Sequence, residues 1–131
     1  MLNTIKMSHD IIADVLNEIM NTKRARKSSI ITKNKSKLLI NVLEVAKKHK
    51  YIESFKINEK TNELEINFNL NECKAIKPRF DVQVKDFEKY IRRYLPARNF
   101  GIIIVSTSKG LITLDEAERE NIGGCLIAYF Y

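Results

Sequence analysis

Cysteine is scarce in this chain, and no long apolar segment is present. The 131 residues include only Cys73 and Cys125, which form no CxxC pair and have no zinc-ligand spacing to His9 or His49. We therefore expect no structural metal and no cofactor, and we interpret both thiols as small buried residues, with a disulfide as the alternative. No apolar run approaches the roughly 20 residues that span a bilayer, and the N-terminus lacks a signal-peptide pattern. The sequence predicts a cytoplasmic protein without a membrane partner.

Acidic residues are missing from one long segment, and this absence shows where the charge lies. The formal net charge is +7, in a composition with 44% hydrophobic and 30% charged residues that is ordinary for a globular protein. The first 50 residues hold 11 basic and 4 acidic side chains, whereas the remainder holds 12 of each, and no acid lies between Glu18 and Glu44. A second basic excess extends from Lys74 to Arg98. Two basic surfaces favour a nucleic-acid partner, because each neutralised phosphate releases counterions; a solvated charged face is the alternative.

The apolar spacing in the first half predicts two helices and three strands. Residues 8–22 and 36–50 place apolar side chains at helical spacing, with Ser8 and Ser36 as N-caps. The predicted strands are Ser29–Thr32, Ile52–Asn58 and Glu63–Leu70, of which the last two form a hairpin.

A polar segment without a clear period, Asn71–Lys77, separates this half from the next. We place a subdomain boundary there, between residues 1–71 and residues 72–131. The predicted fold class is α+β, with two small, tightly packed α/β subdomains. The N-terminal subdomain has the order α-β-α-β-β, and the C-terminal one is mainly β with short helices.

The second half contains a capping box before a short helix. Thr113 fits the N-cap and Glu116 lies three residues later, which predicts a helix to about Asn121 with Gly123 at its C′ position. The strongest buried-strand signal of the chain is Phe100–Thr107. The other predicted elements are strands at Phe80–Val84 and Cys125–Tyr131 and a helix at Asp86–Tyr94, which ends before Pro96.

One string is rich in hydroxyl groups: Ser106-Thr107-Ser108-Lys109-Gly110. Hydroxyls both donate and accept hydrogen bonds, so such a loop can contact base edges, 2′-hydroxyls and phosphates. The alternative is a strand-to-helix turn whose hydroxyls bind backbone groups and in which Gly110 supplies a positive φ. The string also matches S-x-x-K, but the S-D-N and K-T-G motifs of those enzymes are absent, as is a P-loop. We therefore expect that the chain is not an enzyme.

Several strings match a known family. Arg93–Gly101 leads into Val105–Gly110, and further matching strings are Asp10–Asn21, Ser36-Lys37, Tyr51-Ile52, Glu116-Ala117 and Gly123-Gly124. Through these strings, which extend over essentially the whole chain, the protein resembles the small-subunit ribosomal protein S8 family in its archaeal and eukaryotic branch.

The resemblance implies a structural protein of the small ribosomal subunit. It would bind the central domain of small-subunit rRNA, at a helix with an irregular internal loop, and support subunit assembly and translation. The implied partners are this rRNA and neighbouring small-subunit proteins, with the protein's own mRNA as a further candidate, and the free protein is expected to be a monomer. A general RNA-binding regulator of translation that acts on structured mRNA is the alternative.

The resemblance also implies which residues bind RNA. The hydroxyl string would contact irregular bases and the adjoining minor groove, while the N-terminal basic surface would bind phosphates. Cys125 stands where bacterial members commonly have a glutamate, and Gln83 where they often have an aromatic residue, so we do not transfer the role of that acid. The implied RNA-binding residues are Ser106, Thr107, Ser108, Lys109, Gly110, Lys33, Lys35, Ser36, Lys37, Gly124 and Cys125.

Overall fold

A computed structural model describes residues 11–33, 36–77, 79, 81–97 and 100–131. Its α-helices are α1 (Ile11–Arg24), α2 (Lys37–Lys48), α3 (Phe87–Tyr94) and α4 (Leu114–Arg119), and a 3-10 turn at Val84–Asp86 precedes α3. Its strands are β1 (Ser29–Thr32), β2 (Ile52–Asn58), β3 (Glu63–Phe68), β4 (Cys73–Ala75), β5 (Asp81–Val82), β6 (Ile102–Thr107), β7 (Gly110–Thr113) and β8 (Gly124–Phe130). The predicted N-cap Ser8 and the candidate residue Lys35 lie outside the described residues. None of the described helices has the length and apolar character needed to cross a bilayer.

Helix α2 begins at the predicted residue because Ser36 caps it. The Ser36 hydroxyl accepts a hydrogen bond from the amide of Leu39 at 3.1 Å, which satisfies one of the free N–H groups of the first turn. Lys47 and Lys48 occupy the last turn, where positive charge complements the exposed carbonyl groups. The predicted helices in both segments of the first half are confirmed.

The first sheet has three antiparallel strands in the order β1-β3-β2. The alternation in β3 buries Leu64, Ile66 and Phe68, so one face of the sheet contributes to the core. Strand β1 and the β2–β3 hairpin lie where the sequence predicts them. The hairpin turn has Asn62 in the left-handed region, with φ of 60°.

The second sheet has five strands, and β8 is central to it. The order is β4-β8-β6-β7, with β5 paired to β8 as well, and every pairing is antiparallel. The sequence did not predict β4, which lies within the Asn71–Lys77 segment. Three residues are too few to show a period of two, and β4 is fixed instead by its pairing with Ala128–Phe130.

The five-stranded sheet has a hydrophobic core on each face. Ile102 and Ile104 pack with residues of α1, α2 and the first sheet. Ile103 and Val105 pack on the opposite face with residues of α3 and α4. A strand that is buried on both faces gives a continuous apolar run, which explains why the sequence predicts β6 so clearly. The α+β fold class is confirmed.

Helix α4 begins at the predicted N-cap. The Thr113 hydroxyl accepts a hydrogen bond from the amide of Glu116 at 3.4 Å, and it donates to the Glu116 carboxylate at 3.2 Å. The carboxylate therefore reaches back to the cap, as predicted, where it accepts a hydrogen bond from the hydroxyl group of Thr113.

The C-terminal end of α4 differs from the prediction. Asn121 takes the left-handed conformation, with φ of 57°, and the amide of Ile122 donates to the carbonyl of Ala117 at 2.9 Å. This Schellman arrangement satisfies free carbonyl groups at the end of the helix. The predicted C′ role of Gly123 is wrong. Gly123 is needed for another reason, because a Cβ there would lie 2.6 Å from the carbonyl oxygen of Val82.

Candidate nucleic-acid interface

The hydroxyl-rich string forms the end of a β-hairpin. Strands β6 and β7 pair so that Thr107 lies opposite Gly110, and the two residues between them make the turn. Gly110 has φ of 106°, as the turn alternative predicts. The strand-to-helix connection of that alternative is wrong, because β7 lies between the turn and α4. The sequence did not predict β7, a four-residue strand without an Asn-Gly or Asp-Gly turn before it.

The Thr107 side chain holds the hairpin turn together. Its hydroxyl donates to the carbonyl of Gly110 at 3.0 Å and accepts from the amide of Lys109 at 3.1 Å. Ser106 is half-buried at the base of the hairpin, and Ser108 is exposed at the turn. Thr107 is therefore a positioning residue, and the two serines present hydroxyl groups from a fixed backbone.

An open groove of about 660 Å³ lies beside this hairpin. The predicted residues Ser106, Thr107, Ser108 and Gly124 all line it. Its further polar lining residues are Asp81, Gln83, Lys85 and Asn121, none of which the sequence assigned to the interface. Side chains with both donors and acceptors thus surround one concave surface, as a site that contacts base edges and 2′-hydroxyls requires.

Strand pairing explains how residues far apart in sequence meet at this groove. Cys125 of β8 lies opposite Ser106 of β6 on one side and opposite Asp81 of β5 on the other. Gly124 allows this close approach, because a Cβ there would overlap the carbonyl oxygen of Ser106 and lie 2.9 Å from Cγ2 of Val105. On the opposite wall, β5 confirms the predicted strand within Phe80–Val84, shortened to Asp81–Val82, whereas its pairing with Gly124 and Cys125 was not predicted.

Cys125 contributes a neutral side chain next to the groove. Burial raises the pKa of its thiol, the Asp81 carboxylate raises it further, and Arg79 opposes both effects. The group therefore stays protonated at neutral pH. The prediction of two buried thiols is confirmed for Cys73, which is 2% exposed, whereas Cys125 is half-buried. Both thiols are free, so the disulfide alternative is wrong.

Lys109 at the turn forms an ion pair with α4. Its Nζ lies 2.9 Å from Oε1 of Glu120, and both side chains are exposed. Exposed pairs contribute at most about 1 kcal/mol to stability. The pair fixes the direction of the ammonium group, and it also places a carboxylate beside a surface that we expect to meet a polyanion.

Replacing Glu120 with glutamine tests this effect. We expect Glu120→Gln to change the free energy of unfolding by less than about 0.5 kcal/mol and to tighten RNA binding, because the competing carboxylate is gone. Urea denaturation and an RNA titration at low salt measure the two quantities. Glu59→Gln, on the exposed turn of the β2–β3 hairpin, is the matched control and should leave RNA affinity unchanged. Weaker binding by Glu120→Gln would show that the carboxylate is needed to orient Lys109.

The N-terminal candidates lie on a different surface. Lys33 is exposed after β1, Lys37 is exposed at the first position of α2, and Ser36 uses its hydroxyl as the N-cap acceptor. None of these three lines the groove. The C-terminal end of α2 lies beside α4, where His49 Nε2 is 4.0 Å from Oε1 of Glu116.

The middle of α2 lies beside β7. A shallow surface cavity there is lined by Leu111 of β7 and by Asn41 and Val45 of α2. Glu44 and Lys48 line the same cavity, so α2 contacts β7 over its middle and its C-terminal turns.

Comparison with known proteins decides the family. Residues 10–131 match the family model of Ribosomal protein S8. The chain belongs to the ribosomal protein S8 family. Small ribosomal subunit protein uS8 of Nanoarchaeum equitans is 43% identical to this S8 chain over 129 residues, which cover 95% of this chain and 100% of the relative. The uS8 protein of Thermoplasma acidophilum is 41% identical with the same coverage. Protein uS8A of Schizosaccharomyces pombe is 34% identical over 92% of this chain and 96% of its own.

These relatives confirm the resemblance in its archaeal and eukaryotic branch. They are named as small-ribosomal-subunit proteins and not as enzymes, so the expectation that this S8 chain is not an enzyme is confirmed. Among the residues that the structure describes, no group of three or more His, Cys, Asp or Glu side chains is placed to hold a metal ion.

Proposed function

We propose that this S8 protein is a structural component of the small ribosomal subunit, in the cytoplasm, that binds the central domain of small-subunit rRNA. The contact surface is the β6–β7 hairpin with the groove beside it, and the target is a helix with an irregular internal loop. One observation carries the proposal: strands β5, β6 and β8 bring Ser106, Ser108 and Gly124 to the same groove as Gln83 and Asn121.

The chemistry of the groove suits an irregular RNA helix better than a regular one. A regular A-form helix offers a wide, shallow minor groove with 2′-hydroxyls, while sequence information is accessible where bases are unstacked. Hydroxyl and amide side chains can pair with both kinds of group. Thr107 and the paired strands hold the turn in place before binding, so little entropy is lost when the contacts form.

Phosphate contacts would come from the N-terminal basic surface. Lys33 and Lys37 are exposed there, and Lys85 adds a cation at the groove itself. Such contacts fix orientation without reading sequence, whereas the hairpin discriminates. A protein that fixes an irregular helix in one geometry supports assembly of the subunit, with neighbouring small-subunit proteins as further partners.

The serine hydroxyls of the hairpin provide the direct test. We expect the double variant Ser106→Ala with Ser108→Ala to lower affinity for the central-domain helix by about 2 kcal/mol, about 1 kcal/mol for each lost partner. Affinity for a length-matched regular duplex should stay the same. Binding titrations of both RNAs at several salt concentrations measure this difference.

Ser54→Ala is the matched control, because Ser54 is an exposed strand residue of the other sheet. It should leave both affinities unchanged. If the wild-type protein binds both RNAs alike, and both affinities fall in parallel as salt rises, then only the net positive charge acts and the proposal fails.

A further inference from the structure

Part of the second basic stretch converges on a separate groove. Lys74 of β4, Lys77 just after it and Arg93 of α3 line a cavity of about 370 Å³. The strand register places Lys74 opposite Tyr129 of β8. Since Gly124 lies five residues earlier on the same strand, this cavity is roughly 17 Å along β8 from the hairpin groove. The two cavities share no lining residue.

The lining of this cavity is cationic and consists mainly of hydrogen-bond donors. Asn17 of α1, Tyr94 and Tyr129 complete its polar walls, and no Asp or Glu is among the described lining residues. Tyr94 and Tyr129 stack with ring centroids 5.4 Å apart. The guanidinium carbon of Arg93 lies 5.6 Å from the centroid of the Tyr94 ring, within the range of a cation–π contact. The aromatic stack therefore restrains the direction of this cation.

The Tyr129 hydroxyl is a donor at neutral pH. Burial raises its pKa to about 12, with smaller contributions from Glu72 and from the neighbouring Tyr131, Cys73 and Tyr94. The phenol thus stays protonated, and Tyr129 lines the same cavity as the three cations. A phosphate oxygen accepts hydrogen bonds and carries negative charge, so it matches this set of groups.

The same lining is a poor match for a protein partner. Protein interfaces rely on buried apolar or aromatic anchors surrounded by a polar rim. Here the aromatic rings already stack on each other, and the remaining apolar lining residues are Ala13, Ala75 and Ile76, of which the last two are buried. Charge and donors dominate, as in a surface that follows a nucleic-acid backbone.

We propose that the groove formed by Lys74, Lys77 and Arg93 is a second RNA-binding site, which holds phosphates of the RNA backbone independently of the hairpin. The proposal takes RNA as the partner from the proposed function, and it adds a second point of contact beside the C-terminal end of β8. Two contacts roughly 17 Å apart along β8 fix the orientation of the protein on its RNA, which one groove alone does not do.

The double variant Lys74→Gln with Arg93→Gln tests the site. Binding to a central-domain rRNA fragment and to a regular duplex is measured at several salt concentrations. We expect the slope of log affinity against log salt to fall by about two units for the rRNA fragment, about one for each lost phosphate contact. The preference for the irregular helix should persist, because the hairpin is intact.

Two controls keep the test interpretable. The charge-conserving variant Lys74→Arg with Arg93→Lys should retain the wild-type slope. Lys56→Gln with Lys60→Gln removes two exposed cations from the β2–β3 hairpin and should also leave the slope unchanged. Circular dichroism and urea denaturation of each variant verify that the fold is retained.

An unchanged slope in the Lys74 and Arg93 variant overturns the proposal. Unchanged RNA binding combined with poor incorporation into the small subunit would overturn it too, and would assign the groove to a neighbouring protein. The two proposals fail separately. If the wild-type protein does not discriminate between the rRNA fragment and the regular duplex, the proposed function fails. A change in the salt slope that is confined to the Lys74 and Arg93 variant supports the second site, whether or not the wild-type protein discriminates between the two RNAs.

Discussion

Gly124→Ala is expected to destabilise the protein by about 3 kcal/mol, a typical upper value for an overpacked site, and to abolish the proposed preference for an irregular rRNA helix. The added methyl group would overlap the Ser106 carbonyl oxygen and would lie 2.9 Å from Cγ2 of Val105 and 3.0 Å from Cγ2 of Thr107. Backbone atoms cannot move aside as a flexible side chain can. Strands β6 and β8 must therefore separate at the base of the hairpin, which displaces the hydroxyl groups that line the groove.

Urea denaturation and the two-RNA titration measure both effects of Gly124→Ala. The matched control is Gly110→Ala at the hairpin turn, where a Cβ meets nothing within 4 Å but the backbone has φ of 106°. This control should cost about 1–2 kcal/mol of backbone strain, less than the overlap at Gly124. If Gly124→Ala were no more destabilising than the control, the close approach of β8 to β6 would not be a constraint on the site.

Phe130→Ala is expected to cost about 4 kcal/mol, within the range for truncating a fully buried phenylalanine. The side chain is 0% exposed, and its ring stacks on Tyr51 with centroids 6.3 Å apart. The strand register places it between Cys73 of β4 and Ile102 of β6. It belongs to the core that joins both sheets with α1 and α2, so its loss should lower the stability of both halves together.

Urea denaturation followed by far-UV circular dichroism and by tyrosine fluorescence tests this expectation. Both signals should shift together in one transition, because the two sheets share a core. Phe100→Ala is the matched control: Phe100 is 49% exposed, and its loss should cost less than about 1 kcal/mol, since little apolar surface returns to water. Separate transitions for the two signals would show that the halves unfold independently.

Local signals in the sequence predicted much of the fold. Ser36 and Thr113 cap helices at the predicted residues, because a side-chain oxygen near free N–H groups acts within one turn. The buried strand β6 was predicted because both of its faces contact apolar residues. The C′ position of α4 was assigned to the wrong residue. Gly123 was predicted there because glycine is the commoner left-handed residue, but Asn121 follows the last turn directly and adopts that conformation.

Features that depend on long-range pairing were not predictable. Strand β4 has three residues and exists through its pairing with β8. Strand β5 lies within the predicted strand Phe80–Val84, but its pairing with β8 was not predicted. The lining of the groove also depends on long-range pairing. Ser106 and Ser108 were identified from the hydroxyl-rich string itself, whereas Gln83 and Asn121 lie next to them only after the chain has folded. The sequence likewise did not indicate that Lys74 and Arg93 line the same cavity. It showed only an excess of positive charge from Lys74 to Arg98.

The central position of β8 also sets the order of events during biosynthesis. Strands β4, β5 and β6 all pair with β8, and all three are translated before it. Until β8 has left the exit tunnel, the apolar residues of β6 have no partner strand on that side, and the nascent chain exposes a hydrophobic edge. Premature termination before residue 124 would therefore release an aggregation-prone product. The addition of β8 to the sheet is the step that commits the chain to its native state.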